Sequence, residues 1–110
     1  MKAADFAAHG LSERDMRTIT GILRKYPDVR QVCLFGSRAK GTFHAGSDID
    51  LAIMNTGVLE STIRRLQSDF EESSLPWFVD IVDFTSLTHE ELKDHIRRVG
   101  VMVYEREESV

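Results

Sequence analysis

The chain has 110 residues, 42% of them hydrophobic, and a formal net charge of −4. That length fits one domain over residues 1–110, and the apolar fraction suits a packed core and argues against wholesale disorder. The acidic balance argues against broad adhesion to nucleic acid or to an anionic membrane, although it leaves room for a local basic patch.

The opening "MKAADFAAHG" has no apolar stretch long enough for a signal peptide and carries Asp5 in its middle. No window approaches the roughly 18 apolar residues of a membrane span. The lone Cys33, in apolar "VCLF", reads as core and fits a reducing compartment. A soluble cytoplasmic protein is the expectation.

In chain order, Ser12 and Asp15 form a capping box, and Leu11 and Met16 stand at the places of a hydrophobic staple. Met16, Ile19, Leu23 and Tyr26 recur at helical spacing, so a helix is predicted over 13–26, ended by Pro27. "QVCLF", 31–35, predicts a buried strand that Gly36 stops, and "SDIDLAIM", 47–54, predicts a second. Leu59, Ile63, Leu66 and Phe70 mark a helix over 58–73.

"WFVDIVDF", 77–84, predicts a third strand, with Trp77 and Phe78 in the core and Trp77 at the border of any pocket. Thr88 with Glu91 predicts the next helix cap, Leu87 with Leu92 its staple, and Ile96 and Val99 its stripe, before Gly100 ends it. "VMVY", 101–104, predicts a fourth strand, and the polar tail with Glu105, Glu107 and Glu108 is expected to fray. The order predicts an α/β or α+β domain, helices packed on a mixed sheet of about four strands.

Two acids inside a strand need a reason. Side chains alternate along a strand, so Asp48 and Asp50 face one way and Ile49 and Leu51 the other. At ~3.3 Å per residue the two Cα atoms lie roughly 6.6 Å apart. Carboxylates that close repel unless a cation joins them. Magnesium does so, being held by one or two carboxylates plus substrate phosphates. A third acid comes from the third strand, where Asp80 and Asp83 have opposite parity. Asp80, flanked by apolar residues, is the choice over Asp83 at the strand's end.

The preceding segment supplies the other half. Gly36 permits a tight turn and close ligand approach, Ser37 brings a hydroxyl, and a short helix starting there would offer free N–H groups to a phosphate. Arg38 and Lys40 add positive charge, and Gly41 permits a further turn. Each feature alone has a plain explanation as a turn, a cap or a solvated surface. Their conjunction points to a nucleotide and its metal.

Gly36-Ser37, Gly41 and Ser47-Asp48-Ile49-Asp50-Leu51 resemble the signature of the DNA polymerase β-like nucleotidyltransferases. "GSRAKG" with "SDIDL" is similar to the minimal nucleotidyltransferases of HEPN/MNT toxin–antitoxin pairs. The resemblance implies that fold, ATP or another NTP as donor, and Mg²⁺, in a two-metal arrangement, on Asp48, Asp50 and Asp80 as catalytic and metal-binding acids. It implies nucleotide binding by Gly36, Ser37, Arg38 and Ser47. It implies transfer of AMP to a hydroxyl, a tyrosine of a HEPN toxin partner, by an antitoxin. Lys40 stands where arginine is frequent, which removes a fork-like phosphate contact.

Two other functions remain open on the sequence: an antitoxin that acts by occlusion alone, and a small-molecule adenylyltransferase. Self-association also remains open. Membrane binding is not expected, and nucleic acid is disfavoured as a partner. His9, His44, His89 and His95 form no metal-ligand pattern and are read as surface or capping residues, with a nucleotide contact left open for His44. Arg97 and Arg98 suit the last turn of a helix.

Overall fold

A computed structural model of the chain describes residues 6–106. Four strands, β1 (Gln31–Phe35), β2 (Ile49–Ile53), β3 (Val79–Asp83) and β4 (Val101–Glu105), form one sheet in the order β3-β2-β1-β4. β1 runs antiparallel to β2 and β4, while β2 and β3 are parallel. The helices are α1 (Glu13–Arg24), α2 (Gly36–Lys40), α3 (Glu60–Glu71) and α4 (Glu90–Val99). Short 3₁₀ turns occupy Phe6–His9 and Phe84–Ser86.

The alternation of strand residues builds two cores. Val32, Leu34, Ile49, Leu51, Ile53, Val79 and Ile81 face one way and pack with Ile19 and Leu23 of α1 and Leu66 and Phe70 of α3. Phe35 and Ala52 face the other way and pack with Ile96 of α4, joined by Leu87, Leu92 and Val99. The mixed four-stranded sheet with flanking helices is the expected α+β architecture.

Local chemistry sets the ends. The Ser12 hydroxyl accepts from the Asp15 amide while the Asp15 carboxylate accepts from the Ser12 amide, closing the expected box before α1. Gly41, at φ 82°, ends α2 in the left-handed region. Asp28 reaches across to the start of α3, where it accepts from the Leu59 amide at 3.1 Å and the Thr62 hydroxyl at 2.7 Å. Lys25 and Tyr26 hold Asp69, tying the end of α1 to α3.

Several expectations are corrected. The α4 cap is His89, whose Nδ1 accepts from the Leu92 amide, in place of Thr88. Leu59 is 63% exposed at the N-cap of α3, and the buried stripe is Thr62, Leu66 and Phe70. Phe78, expected in the core, is 52% exposed because β3 begins only at Val79. Ser47 and Asp48 precede β2. Glu105 ends β4, and the Arg106 amide donates to the Arg30 carbonyl at 2.8 Å, so this part of the tail is tied down. Glu107 and Glu108 lie outside the described residues. Among the described residues no helix is long and apolar enough to cross a membrane.

Candidate functional site

The register of the sheet decides which acids meet. Asp50 pairs with Phe35 on one side and with Asp80 on the other. Asp50 and Asp80 therefore stand side by side on neighbouring strands, on the face that α4 covers. Gly36 follows directly after Phe35, which sets the glycine turn next to them. Asp48 lies one residue before β2 and is exposed. Asp83 is elsewhere: its carboxylate accepts from the Thr85 amide and from the hydroxyls of Thr85 and Ser86, capping the turn after β3.

Asp50 is half-buried. Burial first, then the charges of Asp80 and Asp48, push its carboxyl above the ordinary range, with Arg38 acting the other way. Asp50 and its two acidic neighbours offer three hard oxygen donors, a set suited to Mg²⁺. Among the described residues, no three His, Cys, Asp or Glu side chains already converge on a metal-sized point. The backbone nonetheless sets Asp50 and Asp80 in register, and exposed Asp48 lies two residues before Asp50. The residues fit the ion by chemistry and by strand position.

Gly36 has φ 76°, and a Cβ there would run into Oδ2 of Asp50. Only glycine lets the turn and the acid coexist this closely. A short helix does start here, as α2. One of its first N–H groups is already engaged: the Gly36 amide donates to Nε2 of His95 at 3.1 Å. The His95 ring meets Phe35 edge-on at 6.1 Å. Nothing in the spacing of α4 signals this contact, because His95 is brought to the turn by packing of Ile96 beside it. Ser37 is half-buried, and Lys40 is exposed.

Arg38 departs most from expectation. It is 1% exposed. Its Nε and one terminal nitrogen donate to the Ser47 carbonyl at 3.2 and 2.8 Å, and the other donates to the carbonyls of His9 at 3.0 Å and Gly10 at 3.3 Å. Burial pulls its pKa down, while Asp15, Asp48 and Asp50 act to raise it. The expectation of a solvated cation gives way to a buried guanidinium engaged with backbone. Ser47 is also turned inward: its hydroxyl accepts from the His44 amide at 2.9 Å, closing the loop before Asp48. Trp77 lies beside the guanidinium and donates from Nε1 to the Ala45 carbonyl at 2.8 Å.

Residues 17–109 match the family described as "Polymerase beta, Nucleotidyltransferase". A relative from Haemophilus influenzae, named a probable protein adenylyltransferase MntA, is 37% identical over 106 residues, covering 96% of this chain and 92% of the relative. A crystal structure of a toxin–antitoxin with AMP-PNP superposes with a TM-score of 0.69 at 28% identity, over 84% of this chain and 75% of that one. A tri-AMPylated Shewanella oneidensis HEPN toxin in complex with its MNT antitoxin shares the fold, with a TM-score of 0.55 at 23% identity, over 83% and 70% of the two chains. With its glycine turn beside in-register aspartates and a family match across most of its length, the chain belongs to the polymerase β nucleotidyltransferase family.

Proposed function

We propose that this protein is an adenylyltransferase that moves AMP from ATP to a tyrosine hydroxyl of a HEPN-type toxin partner, and so acts as that toxin's antitoxin. The observation that carries the reading is the register that sets Asp50 beside Asp80 with the Gly36 turn adjoining them. Likeness to a relative named an adenylyltransferase supports AMP as the group transferred. Likeness to a toxin–antitoxin complex with AMP-PNP supports both ATP as donor and a toxin as partner. The buried free thiol of Cys33 fits action in the cytoplasm.

Asp48, Asp50 and Asp80 would hold Mg²⁺. Bound there, the ion supplies positive charge to the phosphates and to the attacking and leaving oxygens. Gly36 admits the phosphates to the backbone, and the Ser37 hydroxyl donates to them. Asp80, on the edge strand, accepts the proton of the acceptor hydroxyl. The hydroxyl oxygen bonds to the α-phosphorus as the bond to the bridging oxygen breaks, and pyrophosphate leaves. Holding acceptor and donor in line is the larger part of such catalysis.

Isothermal titration of the pure protein with ATP and Mg²⁺, and then of Asp48→Ala and Asp50→Ala, tests the site. Loss of a ligand should weaken joint binding by about tenfold or more. Unchanged binding in both variants would remove the assignment.

A further inference from the structure

We propose that Arg38 is a positioning residue, which holds Asp48 through the Ser47 carbonyl and makes no contact with nucleotide. Asp48 needs such a support. It stands outside β2, is exposed, and has no strand ladder of its own. On its C-terminal side the Ile49 amide is fixed to the Phe78 carbonyl at 2.9 Å. On its N-terminal side the fixed point is the Ser47 carbonyl, which takes two donors from Arg38.

Burial closes the guanidinium off from a phosphate, with 1% of the residue exposed. A guanidinium carries five N–H donors, and its bonds to Ser47, His9 and Gly10 engage all three of its nitrogens. Its central carbon lies 4.4 Å from the centre of the Trp77 ring and 5.3 Å from that of the Phe43 ring. Gly10 completes the enclosure, since a Cβ there would meet the Phe43 ring at 2.6 Å and the guanidinium at 2.7 Å. His9 returns the contact, its Nδ1 lying 2.7 Å from the Arg38 carbonyl. Trp77 then holds the same loop from outside through Ala45. Burying an unpaired cation is costly unless its donors are satisfied. Here three carbonyls from two separated segments take four bonds and engage every nitrogen, and the loop before Asp48 is built around the result. Lysine cannot replace this, because a compact ammonium has neither the fork nor the flat faces.

The inference rests on the reading that Asp48 serves transfer, but its test does not. Hydrogen exchange is followed at the His44 and Ser47 amides, which bond to each other's residues, with Ile49 and the amides of β1 as internal references. Arg38→Lys should speed exchange at His44 and Ser47 by about tenfold and leave the references unchanged, with the sheet intact. Binding of ATP in chelator should stay within about twofold, while Mn²⁺ binding, read by electron paramagnetic resonance, should weaken by about tenfold. Unchanged exchange at both amides overturns the proposal, as does a tenfold loss of metal-free ATP binding.

Should Arg38→Lys fail to fold, the wild-type protein decides. The Arg38 Nε–H resonance should exchange slowly and hold its position when ATP is added, while the Ser37 amide moves. A fast-exchanging Nε–H, or one that shifts with ATP as far as Ser37 does, overturns the proposal. A wild-type protein that binds no ATP would defeat the adenylyltransferase reading and leave the exchange result to stand by itself.

Discussion

Asp50 sits where a negative charge is costly. Burial and its two acidic neighbours raise its carboxyl above the ordinary range. The folded state therefore holds the proton more tightly than the unfolded chain does. The stabilising share of this group is complete in acid, below the carboxylate's unfolded range, and is lost as pH rises through the folded value. At neutral pH without metal, ionised Asp50 weakens the fold. Asp50→Asn should then stabilise the metal-free protein at pH 7 by on the order of 1 kcal/mol, an advantage that fades toward about pH 3, while abolishing transfer. Denaturant unfolding in chelator at the two pH values measures this. A destabilised variant at pH 7 would contradict the electrostatic account. Gly36 is the matching case for space. Gly36→Ala should cost about 1–2 kcal/mol for its positive φ alone, and more for the collision with Asp50. Thermal unfolding of the variant checks it, and an unchanged midpoint would show that the turn is not held as described.

At the scale of elements, α3 illustrates how a helix start can be governed from far away in sequence. Leu59 offers no capping side chain, and Asp28 serves from the segment before β1. Burial works to raise the Asp28 carboxyl, but bonds from the Thr62 hydroxyl and the Leu59 amide outweigh it and leave the pKa lowered. A depressed carboxylate stabilises above its unfolded pKa and loses that contribution as pH falls through the folded value. Asp28→Asn should accordingly cost about 1 kcal/mol at pH 7 and nearly nothing in strong acid. Equal costs at both pH values would show that charge plays no part.

The same helix marks where sequence reading stops. Periodicity found α1, α3 and α4, and the Ser12–Asp15 box was legible because both partners lie within one turn. Alternation found the strands and put Asp50 on the face opposite Leu51, while Asp48 falls one residue outside β2. Leu59 and Phe78 were misplaced because a stripe continues on paper beyond the point where the backbone leaves the element. Arg38 was unreadable for a stronger reason. Its partners are His9, Gly10, Ser47, Phe43 and Trp77, and only the folded sheet brings them together. The contact of His95 with Gly36, separated by 59 positions, was hidden in the same way.

On the scale of the whole molecule, the sheet divides labour between its faces. One face carries the larger core, under α1 and α3. The other is covered by α4 over a smaller core, and at its margin Phe35 leads into Gly36 while Asp50 and Asp80 stand beside it. The acids are thus held by strands whose opposite faces are fully packed, a rigid base for groups that must be placed within a fraction of an ångström. The central claim is that these acids transfer AMP to a HEPN-type partner. The direct measurement is intact-mass spectrometry of that partner after incubation with ATP, Mg²⁺ and either wild-type protein or Asp48→Asn. The account predicts a partner heavier by one or more AMP units and silenced with wild type, and unmodified and still toxic with Asp48→Asn. A partner that gains no mass yet is silenced equally by both proteins would contradict it.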